Sequence, residues 1–275
     1  MKKLNDYYKE MLEKSKEQIP GIVIGVITTL IASFIVSSCT KVLHPEYEIG
    51  DIITLGRYEQ DNDLNNGPEP VQWYVIAKNN NQYLLLSKYI LDSHKYNDNN
   101  DSISWERCSL REWLNTDFIA DTFSSKELQK ILIVNNNNDN NEVCGTEGGN
   151  PTLDKVFLLS IGEAKKYLTG EFAFGLSTQY AYANGVFTFN PGYIDENTNK
   201  ALVYSFDDGV EMKIGISKEC FWFLRTPGYQ QDMVSRVFNS FYADSYSLVG
   251  SYIDYEGIAA SNEYQGIRPA LWYKS

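Results

Sequence analysis

Between Glu17 and Lys41 the chain carries no charged side chain for 23 positions, from Gln18 to Thr40. Its centre, Ile22-Val23-Ile24-Gly25-Val26-Ile27-Thr28-Thr29-Leu30-Ile31-Ala32-Ser33-Phe34-Ile35-Val36, is almost wholly apolar. A helix crosses the hydrocarbon core of a bilayer in ~20 apolar residues, and charge-free runs of this length are rare inside soluble domains. A membrane helix is therefore predicted over residues 19–38, ahead of the competing reading of a buried core helix. A tail over 1–18, a linker over 39–48 and one domain over 49–275 complete the organisation. Lys2, Lys3, Lys9, Lys14 and Lys16 precede the helix, and only Lys41 follows it closely. Positive flanks stay cytoplasmic, so the 49–275 domain is expected outside the cell.

A second membrane reading competes with the first. Val36-Ser37-Ser38-Cys39 resembles the lipobox of a bacterial lipoprotein signal, in which cleavage precedes a cysteine that is then lipidated. Cys39 is the lipidation candidate. Against this, the segment ahead of the run is long and holds Asp6, Glu10, Glu13 and Glu17, whereas secretory leaders begin short and basic. The anchor is preferred, and either reading makes residues 19–38 the membrane contact.

The formal net charge is −12, and the nearly balanced tail leaves that excess on the external part. Phosphate neutralisation needs a basic surface, so nucleic acid is excluded as a partner. Only two histidines occur, His44 and His94, which excludes a histidine-rich metal centre. Beyond Cys39 stand Cys108, Cys144 and Cys220, without CxxC or zinc-like spacing, so at most one disulfide can form among them.

Asparagine-rich patches at Asp61–Asn66, Asn97–Asp101 and Asn135–Asn141 read as loops, because these side chains bond their own backbone. Strands are predicted over Ile52–Tyr58, Val71–Ala77, Tyr83–Leu86, Val156–Leu159, Phe221–Leu224, Met233–Phe238, Ser247–Tyr252 and Ile267–Tyr273. The second and third flank Lys78-Asn79-Asn80-Asn81 as a hairpin. Capping boxes at Ser109/Glu112, Ser124/Glu127 and Ser160/Glu163 open short helices. The fold class is α+β, mainly antiparallel sheets with a few short helices. Leu84-Leu85-Leu86-Ser87 and Phe157-Leu158-Leu159-Ser160 echo each other, too briefly to define a repeat.

Several phrases together carry a family resemblance. They include Leu55-Gly56-Arg57-Tyr58, Pro70-Val71-Gln72-Trp73, Leu110-Arg111-Glu112-Trp113-Leu114-Asn115 and Asp154-Lys155-Val156-Phe157-Leu158-Leu159-Ser160. The chain closes on Trp222-Phe223-Leu224-Arg225-Thr226-Pro227-Gly228 and Gly266-Ile267-Arg268-Pro269-Ala270-Leu271-Trp272. Over residues 50–273 the chain resembles a bacterial domain of unknown function, often secreted or membrane-tethered. The last two phrases are also similar to segments of the C-type-lectin-like fold, as found in formylglycine-generating enzymes and retroelement-diversified binding proteins. That similarity implies first and last strands paired side by side.

Catalysis finds little support. The formylglycine-generating enzymes use a cysteine pair near the C-terminus, but nothing after Cys220 is cysteine. No G-x-S-x-G occurs, and Asp207-Asp208 beside Gly209 reads as a solvated turn. The stretch from Asp61 begins like a calcium loop, yet its glycine, Gly67, falls one place late and Gln72 stands where a bidentate glutamate is needed. No catalytic residue, metal or cofactor is expected.

Binding has more to offer. Residues 228–264 interleave Tyr229, Tyr242, Tyr246, Tyr252, Tyr255 and Tyr264 with serines, the composition of adaptable binding surfaces. The plainer reading makes these tyrosines cross-strand partners. Arg225 and Arg268 read first as buried structural ion pairs. The candidate ligand contacts are Trp222, Arg225, Tyr229, Tyr242, Tyr246, Tyr252 and Tyr255. The leading expectation is a membrane-anchored, extracellular, non-catalytic recognition domain for a glycan or protein surface ligand. An enzyme acting on cell-envelope polymers and a structural envelope component are the alternatives.

Overall fold

Strand β1 (Ile52–Tyr58) exposes Ile52 and Thr54 and buries Ile53 and Leu55, the period-two pattern of a strand with one face on the core. The pattern breaks at Gly56, where φ is +73° and the pairing register shifts. A Cβ there would lie 2.7 Å from the Phe123 ring, so only glycine fits both the backbone and the packing. Strand β2 (Glu69–Asn79) turns through Asn80, at φ +54°, into β3 (Gln82–Ser87), the expected hairpin with a tighter turn.

In this computed structural model the described residues are 45–173, 175–187, 203–205, 211–213, 220–240 and 250–275, with Asp6, Lys9, Glu10 and Glu13 near the start. The charge-free run, Cys39, His44, Asp207-Asp208, Tyr242 and Tyr246 lie outside them, as does the side chain of Tyr252. No helix among the described residues is long and apolar enough to cross a membrane. Residues 1–45 and 46–275 are separate units, and both large sheets belong to the second. That unit includes Tyr47, expected in the linker, whose ring packs edge-on against Tyr83.

The remaining strands are β4 (Tyr89–Ile90), β5 (Asp92–Ser93), β6 (Val134–Asn136), β7 (Thr152–Asp154), β8 (Val156–Phe157), β9 (Leu176–Ser177), β10 (Val203–Ser205), β11 (Glu211–Lys213), β12 (Phe221–Pro227), β13 (Met233–Ser240), β14 (Gly250–Ala259), β15 (Gly266–Ile267) and β16 (Ala270–Lys274). One five-stranded sheet runs β1-β2-β3-β16-β8 and a second runs β14-β13-β12-β15-β5. Pairing is antiparallel except for β12 with β15 and β4 with β9. Among the described residues after 45 the helices are α1 (Ser109–Asn115), α2 (Asp117–Thr122), α3 (Ser125–Leu128), α4 (Ile161–Tyr167) and α5 (Gln179–Ala183). The fold is α+β, mostly antiparallel, with few short helices.

Three expectations need correction. The first and last strands are not neighbours, because β2 and β3 stand between β1 and β16. The predicted strand 267–273 is split at Arg268-Pro269, where proline cannot donate to a ladder; β15 joins one sheet and β16 the other. Ser109 does not cap α1. The helix is preceded by Cys108 without a side-chain cap, and Ser109 Oγ accepts from the Asp98 amide at 3.1 Å. The boxes at Ser124/Glu127 and Ser160/Glu163 form as expected.

The two echoing segments flank the last strand, with Ala270 opposite Leu86 on one side and Phe157 on the other. Trp73, Trp105 and Trp222 are among the largest fully buried side chains. Burying one such ring contributes roughly 4–6 kcal/mol of gross hydrophobic stabilisation. The signature phrases are held together by polar groups inside this core. Buried Asp154 accepts from Trp105 Nε1 (3.1 Å), Arg111 Nε (2.6 Å), Asn136 Nδ2 (3.0 Å) and Thr152 Oγ1 (2.7 Å). Asn115 donates to the Val156 carbonyl and accepts from the Lys155 and Val156 amides. The 110–115 phrase is thereby fastened to the 154–160 phrase.

Candidate functional site

Of the sequence-predicted contacts, Trp222, Arg225, Tyr229 and Tyr255 have described side chains, and these four do not share one exposed face. Trp222 is 2% exposed and lies beneath the Arg268 guanidinium at 5.2 Å. Arg225 is 3% exposed and donates to the Leu158 and Asn137 carbonyls and to Glu163. Both side chains belong to the core, and neither presents a face to a ligand. Tyr255 is half-buried against the core. Tyr229 is 60% exposed, with its carbonyl held by Thr146 Oγ1 at 3.0 Å. Of the same tyrosine-rich segment, Tyr264 is 51% exposed.

Tyr264 stands at a cleft of about 320 Å³ that sequence reasoning misses. Three stretches distant in the chain build it. The segment leaving β5 supplies Ser93, His94, Lys95 and Asp98; the end of α5 supplies Asn184 and Gly185; the turn before β15 supplies Glu263 and Tyr264. They meet because Gly266 and Ile267 pair with Ser93 and Asp92, while Trp222 on β12 pairs with Gly266. The closing phrases of the sequence thus carry the strands that support the cleft. At Gly185 φ is +113°, a left-handed turn that glycine allows directly after the helix.

Hydrogen bonds fix the cleft from behind. Buried Asp92 accepts from Tyr58 Oη (2.5 Å), Asn184 Nδ2 (2.8 Å) and its neighbour's amide at Ser93 (2.7 Å). Burial, then the adjacent Asp92 carboxylate, hold the Tyr58 phenol far above its ordinary range. It therefore remains a donor. Ser93 Oγ donates to the Glu263 carbonyl at 2.7 Å, His94 stacks on Trp113 with centroids 4.4 Å apart, and Lys95 lies 3.7 Å from Glu263.

A second polar cluster lies elsewhere. Carboxylate oxygens of Glu59, Asp61 and Glu69 all fall within 4.8 Å of one another. Asp61 and Glu69 are tied to the loop: Asp61 accepts from the Asp63 amide and Asn66 Nδ2, Glu69 from the Gln60 and Asp61 amides. Burial, followed by the Glu69 and Asp61 carboxylates, pushes the Glu59 carboxyl up to about 7. Such a group can share a proton or hold a hard cation through oxygen ligands. The sequence groups Asp61 with the residues after it in a calcium-like loop. The fold instead joins Asp61 to Glu59 and, across the turn, to Glu69. Cys108, Cys144 and Cys220 form no disulfide.

An α+β domain of short helices and two five-stranded sheets, with a polar cleft at one strand junction, is the class these features define. The chain belongs to the family described as Domain of unknown function (DUF6273), whose model matches residues 80–275. The cleft residues fall within that span; the carboxylates at 59, 61 and 69 fall before it. No curated protein and no solved structure matches the chain.

Proposed function

We propose that this protein is a membrane-anchored recognition module whose external domain binds a surface glycan in the cleft beside Tyr264. The cleft carries the reading. One half-exposed aromatic face stands beside amide, hydroxyl and carboxylate groups that are already oriented by the protein, the combination that suits a sugar's apolar face and its hydroxyls. Its volume lies at the small end of ligand sites, roughly 300–1,000 Å³, which suits one ring rather than an extended chain. The tyrosine- and serine-rich composition of residues 228–264 supports the same reading, as does the similarity of the closing phrases to C-type-lectin-like segments. The charge-free run from Gln18 to Thr40 supports the anchor and the external address.

The test is binding of the whole chain, in detergent micelles, to a panel of cell-wall and host glycans, with Tyr264→Ser and Tyr229→Ser run beside it. Saturable binding lost in folded Tyr264→Ser and kept in Tyr229→Ser is expected. Turnover of any glycan would replace recognition by hydrolysis, and an empty panel would favour a structural role.

A further inference from the structure

The cleft has a chemical bias, and this inference rests on the recognition reading above. Ser93, Asp98, Asn184 and Glu263 present acceptors to the cleft, against donors on His94, Lys95 and Tyr264. Asn184 spends one amide N–H on Asp92, which fixes the amide and leaves its oxygen and its second N–H with open capacity. Ser93 Oγ has likewise spent its proton, on the Glu263 carbonyl, and retains only lone pairs. Asp98 and Glu263 add two carboxylates, and the Lys95 ammonium is drawn to one of them.

The charge behind the wall has the same sign. Asp92 is buried, and its three partners, Tyr58, Asn184 and the Ser93 amide, are all neutral donors. No described Lys, Arg or His lies within salt-bridge distance of it. A carboxylate out of water without a cation projects its field into the adjoining cleft, where the dielectric is lower than in bulk. With Lys95 set against Glu263, Asp98 and Asp92 leave the region net negative, on a chain of net charge −12.

We propose that the cleft recognises a sugar bearing a free primary amine, an amino-hexose residue with its ammonium toward Asp98, Glu263 and the Asn184 oxygen. An ammonium offers three donors and no acceptor, which matches a wall of acceptors. The ring's apolar face lies against Tyr264. A lysine side chain carries the same ammonium on four methylenes, and this polar wall gives such a stem little apolar surface to cover. Acidic sugars meet like charge and are rejected.

The experiment compares glucosamine oligomers, their N-acetylated counterparts, glucuronate oligomers and a lysine-rich peptide, against the whole chain in micelles at low salt. The amine form is expected to bind about five- to tenfold more tightly than the acetylated form, from two partly exposed charge contacts. Asp98→Asn and Glu263→Gln, both on the surface, are expected to weaken binding of the amine form far more than that of the acetylated form, and so to erase most of that difference. Raising pH through the sugar amine's own titration is expected to do the same. Equal binding of amine and acetyl forms, or preference for glucuronate or for the peptide, overturns the inference; equal binding alone leaves glycan recognition standing. Binding of none of the sugars overturns both.

Discussion

Replacing Asp154 by alanine tests whether the phrases that mark this family are a folding device. The carboxylate is buried and receives four donors, one of them the charged Arg111. Removing one partner of a buried ion pair costs about 3–5 kcal/mol. Orphaning the donors of Trp105, Asn136 and Thr152 costs ~1 kcal/mol each taken singly, but members of one network do not add. A loss of about 5 kcal/mol follows, a large part of the roughly 5–15 kcal/mol that holds an ordinary domain together. Urea unfolding of the whole chain in micelles, read by tryptophan fluorescence, is the assay, and Trp105 itself reports on the network. With a slope of about 1–3 kcal/mol per molar, the midpoint falls by roughly 2 M or more. Asp154→Asn keeps one acceptor oxygen and falls between parent and alanine variant. An unfolding free energy for Asp154→Ala within about 1 kcal/mol of the parent's would overturn this.

Two further outcomes are expected. The Glu59 carboxyl has a folded value of about 7 against an ordinary 4.5, so the folded state holds its proton more tightly than the unfolded state. Stability from this group is full below pH 4.5 and is lost as pH rises through about 7; thermal melts across that window should show the decline, and Glu59→Gln should flatten it. Cys108 and Cys220 are buried, and burial pushes the Cys108 thiol up to about 12, while half-buried Cys144 is raised by burial and by Glu256 and Asp254. A neutral alkylating reagent should therefore modify Cys144 slowly in the folded chain, and Cys108 and Cys220 only after unfolding, as mass spectrometry of peptides would show.

Where the sequence was legible, the reason was local. The hairpin at Asn80 follows from alternating strands around a polar turn, and the boxes at Ser124 and Ser160 need only residues three apart. Ser109 misled because the same spacing serves a different bond, to Asp98, once the loop before it has folded back. Asn141 read as part of a loop whose side chains bond their own backbone, and that local part holds. It accepts the Val143 and Cys144 amides, but it is also buried and donates to the Pro227 and Tyr255 carbonyls, partners 86 and 114 positions away that no local pattern announces. Trp222 and Arg225 stood out by residue type, yet the strand that carries them is central in its sheet and buries both. The cleft was invisible for a different reason. Ser93 and Glu263 are 170 positions apart and become neighbours only through the pairing of β5 with β15. Tyr264 belonged to a segment marked by composition, but composition could not tell which tyrosine would stand at a cavity.

Hydrogen exchange of the whole chain in micelles, with and without a saturating glycan from the binding panel, decides whether the cleft is where the ligand sits. Slowed exchange is expected, confined to residues 93–98, 182–186 and 261–265, the three stretches that build the cleft. Binding that protects the exposed turn at Tyr229 instead, and leaves those three stretches unchanged, would contradict it.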